Sequence, residues 1–128
     1  MEIILDTHAF IWFVENDSKL DQSTKNLIEE KFSRVYISIA SLWEMAIKMQ
    51  LNKLIINKSI EEVIDDVDKN GFQILPILPE HIISLSKLEF YHRDPFDRII
   101  IAQAKSENRT IISKDKEFLK YDIPLIKL

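Results

Sequence analysis

The sequence has no cysteine, a single glycine, four prolines and no long apolar run. Without cysteine there is no disulfide, no thiolate nucleophile and no cysteine-ligated zinc, and a reducing compartment suits the chain. The scarcity of glycine and proline leaves little room for long irregular loops, and no repeat, linker or low-complexity stretch is visible. No apolar stretch approaches the roughly 18 residues of a membrane span, and the N-terminus carries acidic Glu2 where a leader would be basic. The expectation is a soluble, cytoplasmic protein without membrane contact. Positive charge is also in short supply, with 17 Lys and Arg against 21 Asp and Glu, a net charge of −4. That balance speaks only weakly against a polyanionic partner. Acids gathered at a metal site would account for several negative charges, and bound Mg²⁺ would reverse the sign there.

What is present fits one domain over residues 1–128, with an apolar fraction of 46%. Short β-branched runs alternate with longer amphipathic ones, the pattern of an α/β fold. Strands are expected at 2–5, 35–38, 72–75, 110–113 and 124–126. Helices are expected from Thr7 to about Asn16, at 21–32 behind Asp21, and at 39–50 with Leu42, Met45, Ala46 and Met49 at helical spacing. Ser59-Ile60-Glu61-Glu62 is a capping box opening a helix that Gly71 stops. Pro79 suits the first turn of a helix to about Leu88. The clearest helix opens at Asp94-Pro95-Phe96-Asp97, with Asp94 as N-cap, Pro95 at the first position and Asp97 in the first turn. A short helix at 115–120 completes the set.

Four acids stand at telling places: Asp6 after the first strand, Asp115 after the fourth, Glu44 and Asp97 within helices. Ligands of open α/β sheets sit beyond the carboxyl ends of the strands, where Asp6 and Asp115 fall. Each acid also has a plain structural role. Asp6 and Asp115 suit helix N-caps, Glu44 is spaced to pair with Lys48 on an exposed helix face, and Asp97 complements a helix dipole. Brought together, however, carboxylates about 4 Å apart repel by roughly 4 kcal/mol at an effective dielectric of about 20. A cluster of four therefore points to a divalent cation and to phosphoester chemistry.

The text around these acids resembles PIN-domain ribonucleases. Ile4-Leu5-Asp6-Thr7-His8 resembles the family's opening. Ser38-Ile39-Ala40-Ser41-Leu42-Trp43-Glu44-Met45-Ala46-Ile47-Lys48 and His92-Arg93-Asp94-Pro95-Phe96-Asp97-Arg98 resemble its middle elements, and Ile111-Ile112-Ser113-Lys114-Asp115 its last. The four elements occur in order between residue 3 and about 120, and look most like VapC-type toxins of type II toxin–antitoxin pairs. The resemblance implies a three-layer α/β/α fold around a mostly parallel sheet of about four to five short strands. It also implies catalytic and metal-binding roles for Asp6, Glu44, Asp97 and Asp115, with support from Thr7 and Ser113. Mg²⁺ or Mn²⁺, one or two ions, would serve an endoribonuclease leaving 5′-phosphate and 3′-hydroxyl ends. Implied partners are RNA, a cognate antitoxin and a second copy of the chain in a homodimer.

Arg93, Arg98, Lys48 and Lys114 flank the acids and are candidates to guide the RNA backbone. The three histidines lack the paired spacing of a zinc site. His8 and His92 are placed to orient the acids, and His81 is expected on a helix surface. Phe10, Trp12, Phe13 and Trp43 are read as core or subunit interface, with a stacking platform for bases as the alternative. Rival functions remain. A dehalogenase-like phosphatase needs a second acid two residues after Asp6, where His8 stands. A receiver-like module needs paired early acids and a further Asp after a central strand, which are missing. A non-toxin PIN-fold RNA-processing or RNA-binding protein is the remaining alternative.

Overall fold

Alternation along the short strands decides how the layers form. In β1 (Glu2–Leu5), Ile3 and Leu5 point one way and Ile4 the other, as successive side chains on a pleated strand must. β2 (Arg34–Ser38) repeats the pattern with Val35 and Ile37 against Tyr36, and β4 (Thr110–Ser113) with Ile112 against Ile111. With both faces apolar, the sheet needs cover on each.

A computed structural model describing all residues 1–128 shows that cover. β3 (Gln73–Leu75) and β5 (Leu125–Lys127) complete one sheet of order β3-β2-β1-β4-β5, with every neighbouring pair parallel. On the Ile3–Leu5 face lie α1 (Thr7–Val14), α2 (Gln22–Glu29), α3 (Ile39–Gln50) and α4 (Ile60–Lys69), through Ala9, Phe10, Ile28, Leu42, Met45, Val63 and Val67. α5 (Pro79–Ser86) and α6 (Pro95–Glu107) cover the Ile4 face, chiefly through Ile99, Ile100, Ile101 and Ala104. Each of the buried Val, Leu, Ile, Phe and Met side chains contributes about 1.5–3 kcal/mol on leaving water. α3 touches both cores, Leu42 and Met45 on one and Ala40 on the other.

The caps fall where the residue types require. Asp21, the Ser59–Glu62 capping box and Asp94 hold the starts of α2, α4 and α6, and Gly71 follows α4 at φ +73°. The segment after β4 is a 3₁₀ turn, Lys116–Lys120. His81 departs from expectation. It is completely buried between α5 and α6, because Nδ1 accepts from Leu78 N–H at 2.9 Å and Nε2 meets Glu107 Oε2 at 2.5 Å. Of the aromatics read as core or subunit interface, Trp43 is not core. It is 59% exposed, its ring set edge-on to Phe96, while Phe10 is core and Trp12 and Phe13 are half-buried.

The sheet order places the site. After β1 the chain builds outward through β2 and β3, then returns to the other side of β1 for β4 and β5. The carboxyl ends of β1 and β4 thus flank the point where the winding reverses, which opens a crevice there.

Candidate functional site

Asp6 follows β1 directly and caps α1. Its Oδ1 accepts from Ala9 N–H at 2.8 Å, and its Oδ2 from the Ser113 hydroxyl at 2.5 Å. Ser113, the last residue of β4, also accepts from Asp115 N–H at 3.0 Å, so one buried hydroxyl ties two of the acids. Asp6 is 3% exposed, and burial raises its pKa against the pull of its hydrogen bonds. Thr7 donates to the Ser41 hydroxyl at 2.9 Å, which fastens the start of α1 to α3.

Glu44 rises from α3 into the same edge. It pairs with Lys48 at 2.6 Å, but the pair is not the exposed one its spacing suggested: Glu44 is 3% exposed. Its Oε1 is buried with no hydrogen-bond partner. A lone buried carboxylate oxygen is costly unless something cationic meets it. The hydrogen bond to Glu44 raises the Lys48 pKa despite partial burial, and the charges of Asp94 and Asp97 add to the rise.

Asp94 caps α6, accepting from Phe96 N–H at 2.9 Å and Asp97 N–H at 3.2 Å. Asp97, in the first turn, is left facing the crevice acids. Its pKa is raised to about 8, first by burial and then by the charges of Asp94, Glu44, Asp6 and Asp115. Asp97 therefore lies within the field of the other three acids that stood out in the sequence. Asp115 is exposed and caps the 3₁₀ turn by accepting from Glu117 N–H at 2.9 Å.

A polar relay stands behind Asp97. The Tyr121 hydroxyl accepts from Arg98 at 3.0 Å and from His92 N–H at 3.3 Å, which leaves its own proton for His92 Nδ1 at 2.7 Å. His92 Nε2 then carries a proton toward Asp97 Oδ2, 3.4 Å away. This use of Arg98 removes it from the RNA-contact candidates. It is 7% exposed, bonded also to the Glu89 carbonyl, with its guanidinium stacked 4.1 Å from the Phe90 ring centre. Arg93 and Lys114 are exposed, and Lys48 is committed to Glu44.

Whether a divalent cation suits these residues turns on two observations. As they lie, no three His, Asp or Glu side chains converge tightly into a metal-binding group. Yet the unpartnered Glu44 oxygen, and the burial and neighbouring negative charges that lift Asp97, are what a cation would relieve, and carboxylate oxygens are the ligands that Mg²⁺ and Mn²⁺ prefer. The donor set fits.

Sequence reasoning missed Ser41 and Tyr121. Ser41 carried a signal, a small polar residue one turn before Glu44 on a largely apolar helix. Tyr121 carried none, since nothing local ties it to His92 across 29 positions.

In comparison with known proteins, residues 3–124 match the PIN domain family. None of the curated proteins matches the chain by sequence. Among solved structures, VapBC2 from Rickettsia felis bound to a promoter DNA fragment matches at a TM-score of 0.76 and 16% identity, over 99% of this chain and 98% of that one. DNA-bound VapBC from Salmonella typhimurium matches at 0.75 and 18%, over 99% and 98%. VapBC-5 of the VapBC family of toxin–antitoxin systems, from Mycobacterium tuberculosis, matches at 0.67 and 18%, again over 99% and 98%. At these identities the likeness speaks for the fold, and it is the family match over nearly the whole chain that decides: the protein belongs to the PIN domain family.

Proposed function

We propose that the protein is a metal-dependent endoribonuclease and the toxin of a type II toxin–antitoxin pair. One observation supports the enzymatic reading: Asp97 lies buried at the carboxyl edge of the sheet within the field of Asp6, Glu44 and Asp115, so that burial first and those charges second raise its pKa to about 8. Asp6 and Asp97 would be the central ligands of Mg²⁺ or Mn²⁺. Glu44 would complete the set through Oε1, and Asp115 would hold a second ion or a water. Such a cation supplies a nucleophilic water at neutral pH and offsets charge on the phosphoryl oxygens.

The chain's own residues do the rest. Ser113 fixes the Asp6 carboxylate and the Asp115 backbone together. His92 orients Asp97, Lys48 holds Glu44 in place through their ion pair, and Thr7 and Ser41 keep α1 and α3 in register. Arg93 and Lys114 are left to attract the RNA backbone. The toxin part of the reading leans on the VapBC neighbours, and with it come an antitoxin partner, a homodimer and a cytoplasmic site of action. The whole chain would act as a single PIN domain.

Purified protein incubated with labelled structured RNAs, with and without Mg²⁺ or Mn²⁺, tests the enzyme. Cleavage that depends on metal and disappears in Asp6→Asn and Asp97→Asn is expected, and equal behaviour of wild type and variants sinks the reading. Induced expression tests the toxin: growth should arrest with wild type and continue with Asp97→Asn. Cleavage without arrest would favour a non-toxin PIN ribonuclease.

A further inference from the structure

Beside the acids lies a cleft of about 260 Å³ lined by Asp6, His8, Trp12, Lys114 and Asp115. Two of these are acids of the proposed nuclease site. Of the other three, Lys114 has so far only a general pull on the RNA backbone, and His8 and Trp12 have no part in that site. Trp12 and His8 lie four residues apart on α1, so they share a helix face, with ring centres 6.0 Å apart. Trp12 is half-buried, packed on the core with the rest of its surface in the cleft.

Two ammonium groups attend this ring. Lys114 Nζ is 5.7 Å from its centre and Lys19 Nζ 5.9 Å. Neither lysine takes part in an ion pair, whereas Lys48, Lys58 and Lys120 all do. Lys19 is not placed by chance. Its loop is tied down by Asp17 N–H on the Trp12 carbonyl at 2.8 Å, Lys19 N–H on Asp17 Oδ1 at 2.9 Å and the buried Leu20. In a chain of net charge −4, two free cations over one half-buried indole, at the edge of an acidic site, are conspicuous.

Aromatic faces flanked by cations are how proteins hold unpaired nucleotides: the base stacks and the ammonium groups take the phosphates. The cleft is smaller than the roughly 300–1,000 Å³ of pockets for drug-sized ligands, a scale that suits one base. Resting on the ribonuclease reading above, we propose that this cleft is a nucleotide subsite. An unpaired RNA base adjoining the scissile phosphate stacks on Trp12, and Lys19 and Lys114 hold the phosphates beside it. The enzyme is thereby directed to single-stranded positions, where bases are free to splay out.

The sequence holds two tryptophans, so Trp43→Phe leaves Trp12 as the sole reporter. In that background, titration with a short unstructured RNA carrying phosphorothioate linkages should quench the emission saturably, in step with binding followed by anisotropy. Trp12→Leu should raise KM about tenfold with kcat changed little. Because Trp12 also packs on the core, exposed Lys19 and Lys114 provide the safeguard. The Lys19→Ala, Lys114→Ala double variant should make the negative slope of log affinity on log salt shallower by about 1.4 for single-stranded RNA.

RNA binding without any change in Trp12 emission overturns the subsite, as does an unaltered KM in folded Trp12→Leu. So does emission that answers to a bound protein segment and not to RNA. In each of those cases wild type still cleaves RNA and the nuclease reading stands. If wild type neither binds nor cleaves RNA, both fall together.

Discussion

The two edges of the same sheet are built from similar residues and do opposite things. At the amino edge, Arg109 bridges Glu2 and Glu107, each at 2.9 Å, and stacks 3.7 Å from the Tyr36 ring centre. Tyr36 donates to Glu2, and Glu107 also takes His81. Every carboxylate there has a cation or a donor. At the carboxyl edge Asp6, Glu44, Asp94, Asp97 and Asp115 face Lys48 and His92, and one Glu44 oxygen has nothing. A closed polar network only holds structure together. An edge whose charges do not close keeps a standing demand for a cation, and function sits where that demand is left open.

The largest effect should come from removing an acid at the open edge. Asp97→Asn should lower RNA cleavage by more than the roughly 10–100-fold that loss of an outer-sphere partner costs a metal site. The same variant should leave the fold intact by circular dichroism. Cleavage within tenfold of wild type would erase the contrast between the edges.

The pH dependence of the metal-free protein comes next. Asp97 stands at about 8 folded and near its ordinary 3.8 unfolded, so between those values the native state keeps a proton that the unfolded chain has lost. Stability must fall as pH rises through that window, and the raised Asp6 acts with the same sign. The carboxylates held low, Glu2, Asp21, Glu62 and Glu117, contribute stability above their unfolded values and finish titrating before about pH 5.5. Thermal melts in chelator should therefore show a lower Tm at pH 8 than at pH 6. Asp97→Asn should shrink the difference, and added Mn²⁺ should abolish it. A difference of the same size in the variant would show that another group sets it.

His92 sharpens the comparison, because its ring is the side-chain partner of Asp97 at the open edge. His92→Phe should weaken Mn²⁺ binding by roughly 10–100-fold in calorimetry, the usual effect of losing an orienting partner. Unchanged affinity would make the Tyr121–His92–Asp97 relay a matter of packing alone.

At the closed edge the effects are on stability only. His81→Leu leaves Leu78 N–H and one Glu107 oxygen without partners, and should lower stability by about 1–3 kcal/mol in urea melts without touching cleavage. Arg109→Ala should change it least, by about 0–1 kcal/mol, since Glu2 is half-exposed and salt screens the pair. A large loss of activity in either variant would mean that the two edges are coupled.

Most of the fold could be read from the chain because its local signals agree. Capping acids, Pro79 and Pro95 at helix starts, Gly71 after α4 and the two-residue alternation of the strands each mark their own element. His81 and Arg98 were misplaced because polar residues are assigned to the surface until their partners are known. Those partners, Glu107 and Tyr121, come from elsewhere in the chain. Trp43 is not core, and apolar character on a helix does not say which residues a neighbouring helix leaves bare, so its choice between core and subunit interface could not be made from the chain.

By itself the sequence determined the periodicities, the caps and the four acids with the motifs around them, since all of these are set within a few residues along the backbone. Only the tertiary structure decided which charges meet. The reversal of winding at β1 and β4 brings Asp6 and Ser113 together across 107 positions. It thereby separates an edge where charges cancel from one where they accumulate. Electrostatic energy depends on distance in space, and the chain's order does not carry it.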